Sequence, residues 1–174
     1  MYISAGKYKR RRLVHAKMKQ CRPSKQIVRE SIFSILGDTV LDATFLDLYC
    51  GTGALGIEAL SRGAKRVVFV DKETSLVKKN TNGLLDDFEI VRLDVLIYLK
   101  RVKGPFDIIF MDPPWDCPEL YKSTLNQLIE FGILSKTSYL IVEHYKKVDM
   151  SVLLPERANR VYQYGDTSIT VFNS

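Results

Sequence analysis

With 174 residues, 46% of them hydrophobic, and a net charge of +6, the chain has the size and apolar content of one domain around a single sizeable core. No apolar run approaches the roughly 18 residues of a membrane helix, and the basic N-terminus lacks the apolar stretch of a signal peptide, so the chain reads as soluble and cytoplasmic. The three cysteines, Cys21, Cys50 and Cys117, are far apart and odd in number, and the only histidines are His15 and His144. That set argues against a disulfide framework and against a metal-centred mechanism.

The positive charge is concentrated at one end. Residues 1–29 hold ten basic side chains (Lys7, Lys9, Arg10, Arg11, Arg12, Lys17, Lys19, Arg22, Lys25, Arg29) and no acidic one, leaving a body, residues 30–174, of charge −4. A basic end on an acidic body points to a polyanionic partner touched by that end. A solvated basic tail is the competing reading.

Taken in order, Met1 to His15 reads as a short hairpin: Tyr2-Ile3-Ser4, a turn at Ala5-Gly6-Lys7, then Tyr8 to Val14. Its cations suit phosphates and its two tyrosines suit bases. Residues 1–20 are therefore read as a nucleic-acid-contacting arm and residues 21–174 as the main domain. Pro23-Ser24 opens a helix, with Ser24 as N-cap and Gly37 just past its end. Ile27, Val28, Ser31, Ile32, Ile35 and Leu36 share the face that packs on the body. Arg22, Lys25 and Arg29 continue the positive surface.

The stretch from Thr44 to Gly63 is an apolar strand, Phe45 to Tyr49, a glycine turn, Gly51-Thr52-Gly53-Ala54-Leu55-Gly56, and a helix stopping at Gly63. Strand, glycine turn and helix in that order cradle nucleotides. Asp47, four residues before Gly51, would repel a pyrophosphate at the helix N-terminus. It suits a ligand carrying a cation, such as S-adenosylmethionine with its ammonium and sulfonium. Cys50, within the turn, reads as a space-filler.

Arg66 to Asp71 is a buried-type strand ending in a carboxylate. Asp71 follows Gly51 by 20 residues, the interval at which an acidic side chain meets ribose hydroxyls. It could instead cap the helix Ser75 to Leu85. The strand Phe88 to Leu93 ends at Asp94, which could accept from an adenine amino group or merely cap the helix Val95 to Lys100. A further strand, Phe106 to Met111, leads into Asp112-Pro113-Pro114-Trp115.

Two prolines after an acid forbid a helix and remove two backbone donors. A carboxylate and a carbonyl are left beside an aromatic plane. An exocyclic amino group can give its two N–H bonds to Asp112 and the Pro113 carbonyl while Trp115 stacks on the base. Acceptors on both hydrogens favour a pyramidal nitrogen with its lone pair aimed at a methyl donor, and they stabilise the developing positive charge.

A helix near Glu119 to Phe131, a strand Tyr139 to Glu143, and a hairpin of Arg157 to Tyr164 and Thr167 to Phe172 about Gly165-Asp166 complete the chain. The alternation implies an α/β fold with a doubly wound, mostly parallel, Rossmann-like sheet ending in an antiparallel hairpin. Each carboxylate singled out stands at the C-terminal end of a strand, the edge where open α/β sheets bind ligands.

These residues resemble those of class I S-adenosylmethionine-dependent methyltransferases, and among them the bacterial 16S rRNA guanine-N2 methyltransferase family that modifies guanine 966. The likeness runs through Ile3 to Arg11, Arg22-Pro23-Ser24, Val28 to Phe33, Asp47 to Gly56, Glu58 to Ala64 and Tyr164-Gly165-Asp166-Thr167. It implies a seven-stranded methyltransferase sheet with a small N-terminal β-hairpin. Asp47, Gly51, Gly53 and Gly56 would embrace the methionine end of the cofactor, Asp71 the ribose, and Asp94 with the Val95 amide the adenine. Asp112, Pro113, Pro114 and Trp115 would hold the guanine N2. Lys7, Lys9, Arg10, Arg11, Arg12, Arg22 and Arg29 would contact 16S rRNA in a small ribosomal subunit; monomer is the default expectation for the oligomeric state, which the sequence does not encode. Two departures are Trp115, where the family usually has Phe, and Asp71, where it often has Glu. The alternatives are a DNA adenine-N6 methyltransferase, an NAD-dependent oxidoreductase, and a non-catalytic RNA-binding protein.

Overall fold

The structure, a computed structural model, describes residues 1–15 and 24–173. Helices α1 (Ser24–Leu36), α2 (Ala54–Ser61), α3 (Ser75–Thr81), α4 (Val95–Leu99) and α5 (Glu119–Glu130) alternate with strands β1 (Thr44–Leu48), β2 (Arg66–Asp71), β3 (Asp87–Arg92), β4 (Phe106–Met111) and β5 (Leu134–Tyr145). The chain closes with β6 (Ala158–Tyr164) and β7 (Thr167–Asn173). Seven strands form one sheet in the order β3-β2-β1-β4-β5-β7-β6. β3 to β5 run parallel, and β7 pairs antiparallel with both β5 and β6. This is the doubly wound sheet with an antiparallel C-terminal hairpin that the strand and helix alternation implies.

The strands are apolar on both faces because helices cover both. Phe45, Val67, Phe69, Ile108 and Phe110 pack on one side with Val28, Ile32 and Leu36 of α1, Ile57 and Leu60 of α2, and Val77 of α3. Leu46, Val68, Val70, Ile109 and Met111 pack on the other with Val95 and Leu99 of α4 and Leu125 and Leu128 of α5. The order of strands reverses between β1 and β4, which places their C-terminal ends side by side at the topological switch point.

Three departures from expectation have a visible physical cause. α3 stops at Thr81 instead of Leu85, because Gly83 is left-handed (φ 79°) and the Leu84 amide turns back onto the Thr81 carbonyl at 3.0 Å. β5 begins at Leu134 instead of Tyr139: Leu134 pairs with Phe106, and a register shift before Ile108 takes up the polar run between. Ser138 Oγ anchors that run by donating to the Phe106 carbonyl at 2.6 Å. The N-terminal hairpin is reduced to one antiparallel bridge, Tyr2 with Arg12, around a turn reaching Arg10. Its Ser4 and Ala5 amides bond to a carboxylate of α2 in place of a facing strand. Ile3 and Leu13 nonetheless enter the core, so the arm is part of the domain's packing.

No helix among the described residues is long and apolar enough to cross a membrane.

Gly56 shows how closely α2 lies on the sheet: a Cβ there would sit 2.3 Å from the Phe69 ring. Gly56→Ala is expected to cost about 1–3 kcal/mol in denaturant unfolding through overpacking. A wild-type midpoint would contradict that close approach.

Candidate functional site

The glycine turn leaves β1 through three residues with left-handed φ: Tyr49 (60°), Gly51 (53°) and Gly53 (72°). The Gly53 amide closes the turn on the Cys50 carbonyl at 2.7 Å, and its own carbonyl starts α2 by accepting from Ile57 at 2.9 Å. Asp47 lies beneath this turn, 1% exposed. Its Oδ2 accepts from the Gly56 amide at 3.0 Å, whereas Oδ1 is buried with no hydrogen-bond partner. Burial pushes its carboxyl up to about 7; the Gly56 amide opposes the rise, and the neighbouring charges of Asp112 and Asp71 add to it. An orphaned carboxylate oxygen of this kind is satisfied by an arriving donor, best of all a cationic one.

Asp71, at the end of β2, is held by two amides, Gly51 to Oδ2 at 2.8 Å and Glu73 to Oδ1 at 3.0 Å. It therefore braces the glycine turn. The cap position of α3 belongs to Thr74, which makes no side-chain cap bond. Asp94 does cap its helix: Oδ1 accepts from Leu96 at 2.9 Å and Ile97 at 3.2 Å, and Oδ2 pairs with Lys72 at 2.9 Å. Burial alone would raise its pKa, but the Lys72 ion pair and these amides outweigh it and hold Asp94 below the usual carboxylate range. Val95, which follows Asp94 at the start of α4, is buried.

Asp112 follows β4 directly, beside the end of β1, its amide reaching the Leu48 carbonyl at 3.5 Å. Pro113 is buried, Pro114 exposed, and the Cys117 amide closes the loop on the Pro114 carbonyl at 3.0 Å. Trp115 is 40% exposed, with its ring tilted 45° against Tyr145 at 5.7 Å between centroids. Asp47, Gly51, Gly53, Gly56, Asp71, Asp112 and Trp115 thus gather at one edge of the sheet.

The arm is fastened by α2 and α3. Glu58 is buried and accepts from Ser4 N at 2.9 Å, Ser4 Oγ at 2.7 Å and Ala5 N at 3.0 Å, and it pairs with Arg29 at 3.2 Å and Arg62 at 3.0 Å. Burial acts to raise its pKa, but these donors prevail and lower it. Gly6 (φ 77°) lies so close to α2 that a Cβ would fall 1.7 Å from the Ser61 carbonyl oxygen. Asn80 of α3 bonds both the amide and the carbonyl of Val14, at 2.7 and 2.9 Å, and also reaches the Thr52 carbonyl in the glycine turn at 2.9 Å.

These contacts reassign part of the basic set. Arg29 is 3% exposed and neutralises Glu58, so it cannot present its guanidinium to a partner. Lys7 pairs with Asp86, and Arg11 donates to the Asn80 and Asn82 carbonyls. Tyr8 gives its hydroxyl to Asp86 at 2.5 Å, with Lys7 and Arg11 over its ring, so it serves the arm's own fold in place of base stacking. Lys9, Arg10, Arg12 and Tyr2 are exposed. Arg22 lies outside the described residues.

Three residues had no role in the sequence reading: Glu58, Asn80 and Tyr145. Glu58 and Asn80 gave no signal, since most of their partners, Ser4, Ala5, Val14, Arg29 and Thr52, lie far away in the chain.

Residues 1–173 match the family model described as conserved hypothetical protein 95. The chain is 35% identical over 161 residues to the ribosomal RNA small subunit methyltransferase D of Buchnera aphidicola subsp. Acyrthosiphon pisum, covering 90% of this chain and 83% of that one. It is 30% identical over 145 residues to the protein of the same name from Escherichia coli K12, covering 81% and 73%. Among solved structures, Escherichia coli yhhF is similar with a TM-score of 0.86 and 26% identity over 99% of this chain and 96% of that one. The Thermus thermophilus 16S rRNA N2 G1207 methyltransferase, in complex with AdoMet and guanosine, shares the fold with a TM-score of 0.74 at 19% identity, over 91% of this chain and 45% of that one.

Removing Glu58 strands Arg29 in the interior. Glu58→Ala is expected to lose about 3–5 kcal/mol in denaturant unfolding. Because the folded pKa of Glu58 lies below its unfolded value, its contribution is complete above the unfolded value, about 4.3, and fades as pH falls through the folded one. A variant as stable as wild type would contradict the anchoring role.

Proposed function

The chain belongs to the conserved hypothetical protein 95 family, and from that premise we propose that it transfers the methyl group of S-adenosylmethionine to the exocyclic N2 of a guanine in 16S rRNA. The observation that carries this reading is the meeting, at one switch point, of an unpartnered buried carboxylate oxygen on Asp47 and the Asp112-Pro113-Pro114-Trp115 turn. The first fits a cationic cofactor. The second fits an amino group on a planar base.

When bound, the cofactor supplies an electrophilic methyl on its sulfonium. Asp47 Oδ1 lies beneath the turn that would receive the methionine ammonium. Asp71 has lone pairs left for the ribose hydroxyls after accepting one amide on each oxygen. Asp94 and the Val95 backbone head α4 at the same edge and would meet the adenine. Asp112 and the Pro113 carbonyl accept the two N2 hydrogens, and Trp115 stacks on the base. As N2 takes the methyl it must lose a proton, and the Asp112 carboxylate is the adjacent acceptor. Holding both reactants in one cleft contributes through proximity.

The arm bears exposed Lys9, Arg10 and Arg12 on a mount fixed to the same α2 that closes the cofactor turn. It would hold RNA by its phosphates, recognising shape more than sequence. The protein works in the cytoplasm as a monomer on the small ribosomal subunit or its precursor.

The test is incubation of wild-type and Asp112→Ala protein with labelled S-adenosylmethionine and small subunits lacking the modification, followed by nucleoside analysis. Wild type is expected to place label in N2-methylguanosine, and the variant to lose at least a hundredfold in rate while retaining cofactor affinity. Label in another nucleoside, or in duplex DNA adenine instead, would overturn the substrate.

Asp47 adds a pH dependence. A cationic ligand binds its charged form, so with a carboxyl at about 7 the cofactor Kd should tighten about tenfold from pH 6 to pH 8, with proton release on binding. In the unliganded protein the sign is opposite for stability: the raised pKa makes Asp47 a burden that grows as pH climbs from about 4 to 7. A flat calorimetric profile, matching that of Asp47→Asn, would contradict the assignment.

A further inference from the structure

Trp115 does not stand alone at the mouth of the cleft. Tyr145 is the last residue of β5, the strand next to β4, and three residues before it on that strand Val142 pairs with Met111, one residue before Asp112. The two rings approach to 5.7 Å at an interplanar angle of 45°, neither parallel-stacked nor edge-to-face, so their planes diverge as a wedge. Trp115, the only tryptophan of the chain, stays 40% exposed in spite of this contact, and Tyr145 is half-buried.

The backbone that carries Tyr145 is held from several sides. Its carbonyl accepts from the Val148 amide at 3.0 Å and lies 3.0 Å from His144 Nδ1, while His144 Nε2 meets Thr170 Oγ1 at 2.8 Å. The next residue, Lys146, bonds Asp166 of the β6–β7 turn through its amide at 2.9 Å and its ammonium at 3.0 Å. Exposed Lys147 follows. An aromatic ring is thus presented on a fixed strand end, with a cation beside it of the kind that meets a phosphate.

We propose that Tyr145 is a substrate-contacting residue, the second aromatic wall of the acceptor site, and that the target base is clamped between it and Trp115. The inference deepens the guanine-N2 reading and rests on it. A planar base stacked on both faces needs its two walls about 7 Å apart, so the rings part by little more than an ångström and swing toward parallel as the base enters. Neither hydrogen-bonds the base, so the clamp gives binding energy and orientation while Asp112 and the Pro113 carbonyl read the amino group. Specificity for a base displaced from its stack follows, because a paired base offers no second face.

The single tryptophan makes the test direct. With S-adenosylhomocysteine bound, a short RNA carrying the unpaired guanine is titrated while Trp115 fluorescence is followed, and methyl transfer from labelled S-adenosylmethionine is measured in parallel. Wild type, Tyr145→Ala and Tyr145→Phe are compared. Base stacking is worth about 1–3 kcal/mol, so Tyr145→Ala should raise both the quenching midpoint and the KM for RNA about tenfold, with cofactor affinity unchanged. Tyr145→Phe, which keeps the ring and loses only the hydroxyl, should restore both. Tyr145→Ala with wild-type midpoint and KM would overturn the clamp while leaving the guanine reading intact, and so would a defect that Phe fails to restore. Wild-type protein yielding no N2-methylguanosine would overturn the functional reading and the clamp with it.

Discussion

A single buried carboxylate sets the terms for this molecule. Asp47 is placed inside the sheet by the parallel pairing of β1 with β2 and β4, and only one of its oxygens is satisfied, by the Gly56 amide. That bond ties the strand to the helix beyond the glycine turn, and the turn fits only because Gly56 lets α2 settle onto Phe69. The second oxygen is left as a standing electrostatic cost. Under the proposed function the ligand brings the missing donor, and the charges of Asp71 and Asp112 nearby favour a cationic one.

Everything else at the site is oriented to that point. The strand order reverses between β1 and β4, so Asp112 emerges beside Asp47 without any long connection. α2, started by the glycine turn, carries Glu58, and Glu58 holds the N-terminal arm through three hydrogen bonds while Arg29 and Arg62 neutralise it. Asn80 closes the loop by joining the arm's Val14 to Thr52 of the turn. The glycine turn and the basic arm are therefore one mechanical unit. Under the proposed function, RNA held on the arm would have a fixed geometry relative to the methyl donor, which is the condition under which proximity contributes most to rate.

The fold was legible because its signals are local. Apolar strands closed by carboxylates, glycines at turns and the Gly165-Asp166 hairpin each depend on neighbours in the chain, and the sheet that joins them follows from the alternation alone. The edge of the sheet that gathers the carboxylates was legible for the same reason. What the sequence hid depends on distant partners. Arg29 looked like part of a basic surface, yet it lies against a carboxylate 29 residues away. Tyr8 looked like a ring for bases until its hydroxyl was seen on Asp86. Asp94 left two readings open, and the capping one is realised by amides two and three residues on. Tyr145 had no motif at all, and only the pairing of β4 with β5 brings it to Trp115.

The measurement that bears most directly on this account is a crystal structure of the protein with S-adenosylmethionine and a guanine-containing oligoribonucleotide. A donor of the bound cofactor is expected on Asp47 Oδ1, and the sulfonium methyl within about 3–3.5 Å of the guanine N2, with N2, the methyl carbon and the sulfur in line and Asp112 on an N2 hydrogen. A cofactor whose methyl points away from Asp112 and Trp115, with Asp47 Oδ1 still unpartnered, would contradict it.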